Sequence, residues 1–342
     1  RTESIPLSLS MSPIQRKKRV HAVGAIDKRV FYLSIQAIIN AFVIGIVAKC
    51  LVYLIELITN IAFYGKFSVE AASPANNTLG WAVVAIPIIG SLIVGVIARF
   101  GSQAIRGHGI PEAMEKIILD ESKIPPLITL LKPLSAAISI GTGGPFGAEG
   151  PIIATGGAFG SFTGQIMHIS PTERKIMLSA GACAGMAAIF GSPLAAVLLA
   201  IELLLFEFSP RSIIPVALAC VTGAGMHIWL FGTDPVFAMG SIAVPSNSAL
   251  AIYVMMGLVV GVIASLVSKA VYLVEDLFEH LPIHWMWWPA IGAVAVGVTG
   301  YYAPYTMGVG YDNITNLLSG HLPLTMLLSL CFLKFISWVI SL

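Results

Sequence analysis

The chain has 342 residues, of which 57% are hydrophobic and 11% charged, and its mean hydropathy is +0.89. Soluble domains carry roughly 25% charged residues, so the composition excludes them and points to a polytopic membrane protein. The net charge of +2 says little, and the short segments of dyad alternation that mark an outer-membrane barrel are absent from the sequence.

Residues 1–29 form a polar lead-in carrying Arg16-Lys17-Lys18-Arg19 and then Lys28-Arg29. Because these charges precede the first long apolar run, the positive-inside rule puts the N-terminus in the cytoplasm. No basic domain follows, so nucleic acid is not an expected partner. The run itself is too long for a signal-peptide core. A helix needs roughly 20 residues to cross about 30 Å of hydrocarbon, and apolar stretches recur near 30–65, 80–99, 125–140, 151–168, 173–208, 210–231, 249–275, 285–304 and 322–342. The fold class is therefore an all-α polytopic membrane protein.

The 30–65 stretch reads as one long tilted helix with a break near Lys49-Cys50. The polar loop 66–79 then falls outside, and its Asn76-Asn77-Thr78 fits a glycosylation sequon. Gly156, Gly160 and Gly164 line one helix face and invite a close neighbour. Gly191-Ser192-Pro193 splits 173–208 into two shorter helices. Cys50, Cys183, Cys220 and Cys331 are scattered through apolar segments without metal-type spacing and read as packing residues, so no metal ligands are assigned.

The most unusual stretch is Gly141–Pro151, GTGGPFGAEGP, with five glycines, two prolines and one carboxylate, Glu149, in an otherwise apolar setting. Proline suits the first turn of a helix because its missing N–H would be an orphan there anyway. A helix starting near Gly150 aims free amides and a positive dipole end at Glu149 or at an anion that displaces it. Gly107-His108-Gly109-Ile110-Pro111 repeats the design, so two broken helices converge on one point, as in transporters that bind anions at mid-membrane. Gly308-Val309-Gly310-Tyr311 resembles this second motif at a separation of 201 residues from Gly107 to Gly308. The same offset from Gly141 leads to Leu342.

GHGIP, GAEGP and SPLAAVLLAIE, in this order, resemble the CLC family of chloride channels and proton-coupled chloride exchangers. The resemblance implies an inverted-repeat fold with discontinuous helices, a homodimer with one anion pathway per subunit, and an inner, plasma-membrane location. It implies chloride and related anions as the transported ligand, protons as a second one in the exchangers, and no cofactor. On it, the chain divides into a cytoplasmic segment 1–29, a first half 30–231, and the start of a second half, 232–342, ending before the family's GxFxP element.

By motif, the anion-binding residues are Gly107, His108, Gly109, Ile110 and Pro111 with Gly147, Ala148, Gly150 and Pro151, and Glu149 is the gate whose carboxylate occupies an anion position. Lys132 matches a basic residue near the pathway; either it raises the local potential or it snorkels to the interface. His108 stands where the family has serine, and Ala148 replaces a basic residue. Glu202 is followed by Leu203 where exchangers carry a second glutamate. Leucine cannot relay a proton, which favours a passive channel, although Glu202, Glu207 or His108 with water could carry protons. The alternative for Glu202 is a carboxylate satisfied by helix amides or Arg211. A hydrolase using Ser192 or Ser161 with His108 or His168 is disfavoured because no serine sits in a GxSxG elbow. A fluoride exporter of the same superfamily is disfavoured by the EGP and GIP elements.

Overall fold

The computed structural model describes residues 28–106, 109–239, 244–320 and 322–342. No strand occurs among them. Five helical segments are long and apolar enough to cross a membrane: Lys28–Tyr64, Gly80–Phe100, Pro210–Phe231, Asn247–Glu279 and Leu324–Ser341. The basic cluster Arg16–Arg19, on which the orientation rests, lies outside the described residues.

Two compact units share the chain. The first comprises 1–54, 101–137 and 148–236, the second 55–100, 138–147 and 237–342. Helix α1 (Lys28–Thr59) runs through both and is not broken at Lys49-Cys50. It continues there because the Lys49 ammonium lies over two rings, 4.8 Å from the centre of Tyr53 and 4.2 Å from that of Phe231. Cation–π contact of this kind lets a charge stay in an apolar helix. The irregularity falls at its end instead, as a π-helical turn Asn60–Tyr64 closed by left-handed Gly65. Asn60 Nδ2 donates to the carbonyls of Glu56, Ser68 and Glu70, tying the loop that follows to the helix.

In the first unit α3 (Gly109–Leu119), the start of α4 (Ile128–Gly141), α5 (Glu149–Ile166), α6 (Pro171–Phe190), α7 (Pro193–Leu199) and α8 (Pro210–Phe231) pack with the first part of α1. Gly191, left-handed at φ 63°, ends α6, so the 173–208 stretch is two helices as expected. The Gly156 and Gly160 face of α5 lies against α6 so closely that a Cβ there would meet the carbonyls of Gly181 and Met177, and one at Gly164 would lie 3.1 Å from Arg174 Cγ. Between lipid-bathed helices, where apolar side chains gain nothing by leaving lipid for each other, close backbone contact supplies much of the attraction. Ser170 and Glu173 form a capping box at the start of α6, and the Glu173 carboxylate also accepts from Arg29 Nε at 2.6 Å and Nη2 at 3.0 Å. The Arg29 hydrogen bond holds the Glu173 carboxyl down at about 2, so this bracket stays charged at any physiological pH. Cys183 and Cys220 are buried, as packing residues should be, whereas Cys50 and Cys331 are exposed.

The second unit contains α2 (Ala85–Phe100), α9 (Asn247–Glu279), α10 (Trp288–Tyr302), α11 (Tyr311–Leu318) and α12 (Leu324–Ser341). Phe63, Val83, Val296 and Met307 form its buried apolar centre. Gly297 of α10 sits against Val84, where a Cβ would fall 2.8 Å from the Val84 Cα. No side chain of α9 is buried.

Gly160→Ala should lower stability by about 1–3 kcal/mol, because the added methyl has only backbone to displace. Gly257→Ala, on α9 with nothing within 4 Å, should change it by no more than about 0.5 kcal/mol. Thermal unfolding of the two variants in one detergent checks the contrast.

Candidate functional site

Helices α3 and α5 begin at the two glycine-proline motifs. Gly109 opens α3 at φ +38°, where a side chain is strained, and a Cβ built on it would lie 2.9 Å from Gly150 Cα and 3.3 Å from the Gly150 carbonyl oxygen. The two helix starts are thus in backbone contact, which the missing side chain of Gly109 permits. The first four amides of a helix have no partner within it, so orphan donors from both helices gather at this point, with the positive ends of both dipoles.

Around the contact, Gly109 and Ala148 are buried, Ile110, Gly150 and Pro151 half-buried, and Pro111 and Gly147 exposed. Glu149 is the first residue of α5 and is half-buried. Gly107 and His108 lie outside the described residues. Residues 141–147 of the glycine stretch belong to the second unit and 148–151 to the first.

Lys132 does not snorkel. Only 7% of its side chain is exposed, and its ammonium donates to Glu112 Oε2 at 2.7 Å and to the Ile105 carbonyl at 2.9 Å. Glu112, equally buried, belongs to the first turn of α3. The sequence reading missed Glu112. Its signal was a carboxylate directly after Pro111, in the first helical turn where a negative charge complements the dipole.

The sequence model of the voltage-gated chloride channel family matches residues 89–342. The chain belongs to that family. It is similar to the putative chloride channel protein ClcB-like of Ralstonia nicotianae, 24% identical over 242 residues that cover 70% of this chain and 56% of the relative. It is also similar to the H(+)/Cl(-) exchange transporter ClcA of Yersinia pestis, 28% identical over 247 residues, 68% of this chain and 50% of the relative. The chain thus spans about half the length of these curated relatives. Among solved structures it resembles a slow cyanobacterial Cl-/H+ antiporter, with a TM-score of 0.74 at 20% identity over 89% of this chain and 73% of that one. A CLC-type fluoride/proton antiporter gives 0.76 at 17% identity, over 93% and 78%. At such identities the likeness is one of fold.

The family's third motif, SPLAAVLLAIE, forms α7 and a π-helical turn Ala200–Leu205 that carries Glu202. Left-handed Phe206 at φ 52° ends this turn, and Lys175 Nζ donates to the Leu205 carbonyl at 2.8 Å. Glu202 is exposed and has no hydrogen-bond or ion-pair partner among the described residues, which overturns the alternative that Arg211 or helix amides satisfy it. Glu202 lies in the π-helical turn Ala200–Leu205, and Arg211 in the helix that follows it, Pro210–Phe231.

Gly109→Ala should cost about 1–2 kcal/mol for the left-handed backbone alone, with the collision at Gly150 added. Gly150→Ala, where the new Cβ sits 4.0 Å from Gly109 Cα, should cost less. A thermal-shift series over both variants measures the difference.

Proposed function

We propose that this chain forms the anion pathway of a membrane transport protein, with chloride as the ion and Glu149 as the gate. The observation that carries the reading is the contact of Gly109 with Gly150, which gathers two sets of orphan amides beside one carboxylate. A monovalent anion has no directional bonds and needs several weak donors; it must also be able to leave. Amides of Gly109, Ile110 and Gly150, with Pro111 and Pro151 setting the helix starts, meet both needs. Glu149, as the first residue of α5, competes with the anion for the same donors. Protonation or rotation of its side chain then opens the way. In sequence, Ala148 stands where the family carries a basic residue, and His108, outside the described residues, stands where it carries a serine. The reading uses no cofactor, and it takes the assembly as a homodimer in the plasma membrane with the N-terminus in the cytoplasm.

Leu203 supports passive conduction, since it cannot hand on a proton. The second reading is proton-coupled antiport. It is favoured by the names of the exchange transporters to which the chain is similar, and by Glu202, a carboxylate that is exposed at the end of the third motif.

In liposomes, Glu149→Gln should raise chloride flux and remove its dependence on pH. Flux and pH response both unchanged would sink the gating role. For the wild type, a reversal potential that follows the chloride gradient alone marks a channel, and one that moves with an imposed pH gradient marks an antiporter.

A further inference from the structure

In the second unit the spanning helix α2 stops at Phe100 and α9 stops at Glu279. The chain turns back into α10 through residues 280–287, HLPIHWMW, with a 3-10 turn at Trp285–Trp287. Gly95 of α2 lies under this turn, where a Cβ would collide with the Met286 carbonyl oxygen. That close seat brings Arg99, one turn further along α2, to His284.

Nη1 of Arg99 is 3.3 Å from both ring nitrogens of His284. Nδ1 of that ring accepts from the Met286 amide at 3.2 Å, which leaves the proton of the neutral ring on Nε2. A guanidinium has donors and no acceptor, so Arg99 and the Nε2–H are donors side by side at an exposed place. Among the described residues no carboxylate pairs with Arg99, not even Asp276 or Glu279 at the end of α9.

Apolar surface flanks the donors. The Phe100 ring centre is 5.6 Å from Arg99 Cζ, and Phe100 and Trp287 are 76% and 48% exposed. The rings of His284 and Trp285 lie 5.1 Å apart. Tryptophan collects where hydrocarbon gives way to headgroups, and the ends of two spanning helices mark the same depth. On the orientation taken above, α1 crosses outward and α2 returns, so this is the cytoplasmic leaflet, the one that carries anionic lipid.

We infer that Arg99 and His284 seat the phosphate of an anionic phospholipid, with Phe100 and Trp287 against its acyl chains. One phosphate oxygen accepts from the guanidinium and another from the Nε2–H, in bonds that the ligand's charge strengthens. A free phosphate would satisfy the donors and leave the aromatic flanks in water, so the chemistry fits a lipid. The inference goes beyond the anion-pathway reading and does not depend on it.

The test is lipid retention by the detergent-purified chain, read by native mass spectrometry against added phosphatidylglycerol or phosphatidylcholine. The wild type should hold phosphatidylglycerol more tightly. Arg99→Gln should weaken that lipid about fivefold, as the loss of one basic residue at an anionic surface does, and leave phosphatidylcholine unchanged. Arg99→Lys, which keeps the charge, should retain most of the preference, and Arg211→Gln, which removes an exposed charge at the start of α8, should retain all of it. Glycerol phosphate, the headgroup without chains, should not displace the lipid at equal concentration. Equal retention of the two lipids by the wild type, equal losses in Arg99→Gln and Arg211→Gln, or displacement by glycerol phosphate would overturn the inference. A fall of both lipids together in Arg99→Gln would do the same, since that is what fewer folded molecules give.

Discussion

Two helix starts meeting backbone to backbone is an electrostatically awkward arrangement, and the rest of the first unit is built so that it holds. Each end carries about half a positive charge. At an effective dielectric of about 20, two such ends a few ångströms apart repel by on the order of 1 kcal/mol, while a single negative charge seated between them gains on the order of a few kcal/mol. The repulsion is small enough for packing to overcome, and the attraction is large enough to make the spot prefer an anion. The first residue of α5 is a carboxylate, Glu149, and on the proposed reading it competes with a diffusing anion for this spot.

What holds the two ends together is the fit of α5 on α6. With Gly156 and Gly160 laid against the Gly181 and Met177 carbonyls, α5 has no freedom to slide along its neighbour. The start of α6 is fastened by the Ser170–Glu173 box and by Arg29 from the beginning of α1. Polar fastening at the ends and small-residue contact in the middle divide the work as the surroundings demand. Charged brackets belong where water is near, and close backbone approach belongs where lipid offers no hydrophobic drive.

Much of this was legible in the sequence because glycine and proline act through the backbone. GHGIP and GAEGP marked helix starts, Gly191-Ser192-Pro193 marked a break, and the spacing of Gly156, Gly160 and Gly164 marked a packing face; α3, α5, α6 and α7 follow those marks. What stayed hidden depends on partners far along the chain. Lys49 looked like a helix break because its rings are not all local: Phe231 is brought to it by α8. Lys132 could be read either as a pathway charge or as a snorkelling one, because its partner Glu112 lies 20 residues back and is brought to it across a loop. Glu202 lies in a π-helical turn, which no residue type announces.

Both repeats set a glycine with positive φ at a helix start and tie the preceding loop with a lysine ammonium, Lys132 to Ile105 and Lys334 to Gly308. That shared part is mechanical. A lysine reaching a carbonyl costs the desolvation of its charge, which a buried site accepts only with compensating contacts. At Lys132 a full carboxylate, Glu112, supplies part of the compensation; at Lys334 the hydrogen-bond partner is the Gly308 carbonyl.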